Sequence, residues 1–273
     1  MNILYLDCAM GAAGDMLMAA LLELLPDRDA FLRDMNALGL PGIEVTAEPS
    51  VKCGVTGTHV HVFVHGEEEG HEHHHHEHTH EHEHEHEHHH DHEHEHAHEH
   101  HHDHEHHHTG LHEIEHLIGH LPVPEAVRED ARTVYRAIAD AESRVHGAPV
   151  DQIHFHEVGT LDALADVVGV CWLMHRLAPD AVYASPVHVG AGQVKCAHGI
   201  LPVPAPATAL LLAGVPCYGG AVRSQYPRAR VLYIRRALHA DGRGAAAPFR
   251  DEVRPDAAAL HREDRLWHGY ERL

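Results

Sequence analysis

Apolar and polar positions along the first fifty residues alternate in a readable order. Ile3 to Leu6 is a compact apolar run closed by Asp7, and Gly11, Ala12, Ala13 and Gly14 form a flexible turn. The stretch from Asp15 to Leu25 then has helical apolar spacing and stops at Pro26. The prediction is strand, glycine turn, helix, followed by a second helix over Asp29 to Leu38 that Gly39 ends. Alternation over Ile43 to Val51 and Thr58 to Val64 predicts two strands joined around Gly54 and Gly57. His59 and His61 share one face of the second strand, and His65 follows on the same parity.

Further along, Leu111 to Leu121 and Glu125 to His146 have helical periodicity, the latter with Val127, Ala131, Val134, Ile138 and Ala141 at core spacing. Leu161 to Leu177 predicts another helix and Ala181 to His188 a strand. Ala205 to Ala213 predicts a short helix after Pro202, Pro204 and Pro206. The expected fold class is α/β, a mixed sheet with packed helices built from residues 1–65 and 111–220.

The pattern fails between these two parts. Of the 38 residues from His71 to His108, 24 are histidine and 12 are Asp or Glu, so no hydrophobic core can form there and residues 66–110 are expected to be a disordered insert. The run is internal and interleaved with acids, unlike a purification tag. Its imidazoles suit Ni, Cu and Zn without choosing sharply among them, and the carboxylates attract cations and add oxygen ligands. His73, His75, His84, His86, His94 and His96 stand for the many equivalent ligands of this metal-collecting tether. A spacer that merely happens to be rich in histidine is the plainer alternative.

Composition then narrows the class. The chain has 273 residues, is 43% hydrophobic and carries a formal charge of −22. Fifteen of its acids lie between residues 67 and 105, so the remainder carries a net charge near −7, an ordinary soluble surface. No basic cluster outside a late arginine-rich stretch suggests nucleic acid, and no apolar run reaches the roughly 18 residues of a membrane-spanning helix. Five cysteines, scattered without a CxxC pair, and an amino terminus without a charged leader predict a reducing, cytoplasmic location.

Four segments carry candidate chemistry. In an extended His154-Phe-His156-Glu157, both imidazoles share a face and can reach one ion with Glu157, although such pairs also occur on plain polar strands. Asp162 and Asp166 stand at i, i+4 on the next helix; they read either as metal ligands or as a dipole-stabilised Asp162 beside a solvated Asp166. Asp7 and Asp15 bracket the glycine turn, where they either hold magnesium over a phosphate bound near Gly11 and Gly14 or leave Asp15 as a plain N-cap. Cys196 and His198, at i, i+2 in a glycine-rich loop, are a weak candidate for a soft metal site.

Three of these stretches together, Leu6 to Met16 (LDCAMGAAGDM), His154 to Gly159 (HFHEVG) and Ala197 to Thr208 (AHGILPVPAPAT), resemble the LarC family, the nickel-insertion proteins of nickel-pincer cofactor biosynthesis. The resemblance extends from residue 1 to about Gly220, and members carry a variable histidine-rich insert where this chain has its tract. It implies a cytoplasmic nickel chelatase of the lyase class that inserts Ni2+ into pyridinium-3,5-bisthiocarboxylic acid mononucleotide. The implied reaction is CTP-dependent and assisted by Mg2+ or Mn2+, and its product is the pincer cofactor of lactate racemase and similar enzymes. Within this reading of the chain, Asp7 and Asp15 are the catalytic candidates. Gly11, Gly14 and His198 would contact the cofactor precursor, and His154, His156, Glu157, Asp162 and Asp166 would hold metal. A homo-oligomer without nucleic-acid or membrane partners is expected. Two rivals from other classes are a nickel or zinc buffering protein without chemistry, and a metal-dependent hydrolase using Asp7, Asp15, His154, His156 and Glu157.

After Gly220 the composition turns to arginine and alanine. Residues 235–247 can be written in permitted codons that, one base later, read Gly-Glu-Leu-Cys-Thr-Pro-Thr-Gly-Ala-Ala-Leu-Leu, the continuation that the family expects. The tail at 221–273 is therefore read as out-of-frame translation, poorly structured, with the CTP-handling carboxy-terminal domain made by frameshifting or missing from this chain. Coding DNA whose codons at 235–247 cannot yield that hidden string removes the idea.

Overall fold

The computed structural model describes residues 1–52, 54–68, 109–155, 158–196 and 198–220. The chain opens with β1 (Ile3–Leu6), α1 (Gly14–Leu22) and α2 (Arg28–Asn36), followed by β2 (Ile43–Lys52), β3 (Val55–Val64) and β4 (Glu67–Glu68). Beyond the histidine tract come β5 (Thr109–Gly110), α3 (Leu111–His120), α4 (Glu125–His146), β6 (His154–Phe155) and α5 (Leu161–Leu177). The described part closes with β7 (Ala181–Ala184), β8 (Val187–His188), β9 (Gln193–Cys196), β10 (Gly199–Pro202), α6 (Pro206–Leu211) and β11 (Cys217–Tyr218).

The expected α/β class holds, with both parallel and antiparallel pairing. β1 runs parallel to β7, and β8 parallel to β11. β2, β3 and β4 form an antiparallel sheet. The predicted helices at 125–146 and 161–177 appear with those bounds because long stretches of 3.6-residue periodicity fix a buried stripe. Asp27 caps α2 by accepting a hydrogen bond from the Ala30 N–H, and Gly147, at φ +63°, closes α4 in the left-handed conformation.

Three expectations need correction. The strand foreseen from Ala181 to His188 is two strands, broken at Ser185-Pro186. Proline lacks the N–H that a continuous ladder requires, and the Ser185 hydroxyl accepts instead from the Cys8 N–H at 2.8 Å. The loop foreseen around Cys196 is a hairpin, β9–β10, with Gly199 at φ +98° next to its turn. His65 does not continue the face of His59 and His61. It leaves the strand at φ +54° and folds over Gly42, where an added Cβ would lie 2.3 Å from its Nδ1.

Most of the core is one cluster. α5 runs through its middle, buried on all sides from Asp162 to Leu173, and α1 and α4 pack on it. Phe31 meets Trp172 edge to face, with the Arg176 guanidinium over both rings and paired to Asp34. Val45, Val60 and Val62 turn the inner face of the β2–β3 sheet onto this core. A smaller cluster of Cys8, Ala12, Ala184, Val187, Val189 and Leu212 sits under the glycine turn. Among the described residues no helix is long and apolar enough to cross a membrane.

Candidate metal centre

The turn between β1 and α1 is shaped by what lies beneath it. Asp7 is exposed; its Oδ1 accepts from the Ala9 N–H at 3.0 Å and from the Ser185 hydroxyl at 3.5 Å. Gly11 takes φ +91°, a left-handed value open to glycine, and its N–H donates to the Cys8 carbonyl at 3.0 Å. Ala13 is the N-cap of α1, with no side-chain cap, so Asp15 belongs to the first helical turn and the plain N-cap reading of it falls.

Gly14 is the hinge of the site. A Cβ on it would lie 2.3 Å from Asp166 Oδ2 and 2.6 Å from Asp166 Cβ, so only glycine fits between α1 and α5. The sequence separates these residues by about 150 positions, yet the fold presses a carboxylate against the positive end of α1. Asp162 and Asp166 are 5% and 8% exposed, so the solvated reading of Asp166 falls as well. Two buried carboxylates one helical turn apart repel unless positive charge compensates, and the first turn of α1 supplies part of it. A bare phosphate at that helix end would meet Asp166; a divalent cation between carboxylate and phosphate removes the conflict.

His154 precedes the same helix in sequence, and it does not converge with Asp162 and Asp166 as a three-donor group among the described residues. It lies on β6 with Phe155 buried behind it, and Gly159 closes back so that a Cβ there would stand 2.7 Å from Phe155 Cβ. The segment therefore turns directly into α5 and its two acids. His156 and Glu157 lie outside the described residues, as do His73, His75, His84, His86, His94, His96 and the tail from residue 221.

His198 is exposed at the tip of the β9–β10 hairpin, its ring centroid 5.0 Å from that of His146 at the end of α4. Cys196 turns to the Gly199 carbonyl, with Sγ donating at 3.5 Å. His146 was read as a helix end, and nothing in its local pattern predicts a partner 52 residues away. Elsewhere, burial pushes the Cys171 thiol far above its usual range, with the Asp130 carboxylate adding to the shift. Burial also raises Cys217.

Glu48 was missed altogether. It faces His59 across the β2–β3 ladder, in a register that pairs Lys52 with Val55 and Ser50 with Gly57. Glu48, His59 and His61 are the one group of three His, Cys, Asp or Glu donors among the described residues that can converge on an ion.

The chain matches a family described as nickel insertion protein over residues 4–228. A pyridinium-3,5-bisthiocarboxylic acid mononucleotide nickel insertion protein of Desulfitobacterium hafniense is 37% identical over 225 residues, covering 82% of this chain and 46% of that protein. A protein of the same name from Clostridium kluyveri is 37% identical over 224 residues, covering 82% and 50%. The chain thus spans about half the length of the curated relatives it matches. No solved structure matches. With a family match over residues 4–228 and relatives 37% identical across four-fifths of its length, the chain belongs to the nickel insertion protein family.

Proposed function

We propose that this chain binds nickel and delivers it to pyridinium-3,5-bisthiocarboxylic acid mononucleotide, the substrate named for its relatives. The observation that carries the reading is the contact of Asp166 with Gly14, because it joins the glycine turn to the helix that follows the His-x-His segment, two regions distant in sequence, in one acid-lined junction. In this reading His154, His156, Glu157, Asp162 and Asp166 hold the nickel ion. Gly11, Gly14 and His198 contact the nucleotide, and Asp7 and Asp15 bind Mg2+ or Mn2+ beside its phosphate.

Nickel is the cargo. A nitrogen and oxygen donor set holds it loosely enough that the two thiocarboxylate sulfurs, which are softer, draw it across. A carrier with thiolate ligands of its own would compete with the product, which fits the burial of Cys171 away from solvent. CTP dependence, the lyase class and supply of the finished cofactor to lactate racemase-type enzymes belong to the same proposal. The CTP-handling part is assigned to the portion of the relatives that this chain does not match.

The test is nickel transfer to the thiolated nucleotide by the purified chain, supplied with CTP, Mg2+ and the carboxy-terminal portion of a relative. His154→Ala and Asp166→Asn should each abolish transfer while the fold persists. Unchanged transfer in both overturns the reading, and phosphate-ester turnover without transfer favours the hydrolase.

A further inference from the structure

The outer face of the β2–β3–β4 sheet carries donors that the insertion site does not use. Glu48 lies directly across from His59, and His61 follows on the same face. One ligand atom from each of the three lies within 4.8 Å of the others, and the two imidazole centroids are 4.0 Å apart. Behind His61 stands a second carboxylate: Glu68 Oε1, on β4, is 2.6 Å from His61 Nδ1.

That contact fixes the chemistry of the ring. With Nδ1–H donating to Glu68, Nε2 presents a lone pair, and this nitrogen is closed to solvent, makes no hydrogen bond and sits 3.3 Å from Glu48 Oε1. An imidazole nitrogen and a carboxylate oxygen this close, with no hydrogen bond between them, are unfavourable neighbours unless a cation stands beside them. The cation is either a proton on Nε2 or a metal ion. A proton uses Glu48 alone, whereas a metal ion also accounts for His59, whose donor atom converges on the same point. A carboxylate that orients a histidine from behind is the usual support of a histidine metal ligand. Two imidazoles and one carboxylate, held on paired strands with Glu48 largely exposed, make a three-ligand set with open positions through which an ion can enter and leave.

We propose that Glu48, His59 and His61, backed by Glu68, form a binding site for a divalent first-row transition metal at the root of the histidine tract, separate from the insertion centre. Glu68 stands three residues before His71, so the site is within reach of the first tract imidazoles. That its ion comes from the tract rests on the nickel-delivery reading; the site itself does not.

The full chain is tested by thermal unfolding with Zn2+ and with Ni2+, each variant compared with its own metal-free midpoint. Ligands that bind metal equally in native and unfolded chains add little stability, whereas an ordered site binds the native state alone. At a hundredfold excess over its dissociation constant, metal should raise the midpoint by about 5–10 °C. The double variant Glu48→Gln/His59→Gln, which leaves the half-buried His61 in place, should lose at least half of that rise, and His154→Gln should keep it. Amide resonances of Val60 and Val62 should move or broaden at the first equivalents of metal in the natural chain and stay fixed in the double variant. A full rise in the double variant, or unmoved Val60 and Val62 amides, overturns the proposal. The two readings separate cleanly. Loss of nickel transfer in Asp166→Asn leaves the hairpin rise intact, and loss of the hairpin rise leaves transfer intact when nickel is ample.

Discussion

The histidine tract is anchored to the fold at two unlike places. Upstream, it leaves from β4, which pairs with Phe63 and Val64 at the edge of an antiparallel sheet whose imidazoles lie near solvent. Downstream, it re-enters at β5, where Gly110 pairs with His154 and the chain runs on through α3 and α4 into the core. The upstream donors stand on neighbouring strands, with Glu48 paired to His59 across the ladder. The downstream acids are buried in α5, and Asp166 is pressed against Gly14 near the start of the chain. A surface set like the first exchanges ligands with little reorganisation. A buried set like the second holds its geometry and is costly to disturb. That contrast suits uptake at one end and committed delivery at the other.

The largest effect expected from breaking the contrast comes from the downstream acids. Replacing both Asp162 and Asp166 with Asn should lower nickel transfer by about 100-fold or more, the scale of losing metal ligands and their support, while metal uptake at the hairpin stays unchanged. Equilibrium metal counts and transfer assays on the same preparation check this.

Gly14→Ala probes the packing beneath. Its Cβ would fall 2.3 Å from Asp166 Oδ2, and overpacking of this kind costs about 1–3 kcal/mol, read as a lower urea midpoint. Adding Asp166→Ala should recover much of the loss, so the two changes are non-additive; simple additivity removes the claimed contact.

A smaller effect is set by pH. Cys171 titrates at a higher pH folded than unfolded, so its thiol supports the native state fully below the unfolded value near pH 9. That support declines as pH rises toward the folded value. Stability should fall above pH 9 by up to about 1.4 kcal/mol per pH unit, and Cys171→Ala should flatten that slope. A slope unchanged by the substitution contradicts the assignment. The smallest effect belongs to the tract. Deleting residues 71–108, which spares Glu67 and Glu68 of β4, should change transfer by less than about threefold at ample nickel, although stored nickel falls steeply. A deletion beginning at residue 67 would also remove the carboxylate behind His61 and confuse the two anchors.

Much of the fold was legible because its signals are local. Apolar spacing within α4 and α5 set their bounds, and Pro26 and Gly39 ended the first two helices within a few residues. Three family segments placed the candidate chemistry at Asp7 to Asp15, His154 to Asp166 and His198. Periodicity could not say that Ser185-Pro186 breaks a strand, or that His65 leaves its parity. Nor could it set the register that puts Glu48 opposite His59. Each of those depends on a hydrogen-bond partner or a register outside the local window.

The amino-acid sequence alone determined the elements, the histidine tract and the family's motifs, since each is written in residues close together along the chain. Tertiary structure alone decided that Gly14 meets Asp166, that His146 meets His198, and that the tract's two ends sit beside different donor sets. Those contacts arise when burial of one continuous core brings distant segments within van der Waals range, and chain order carries no local record of them.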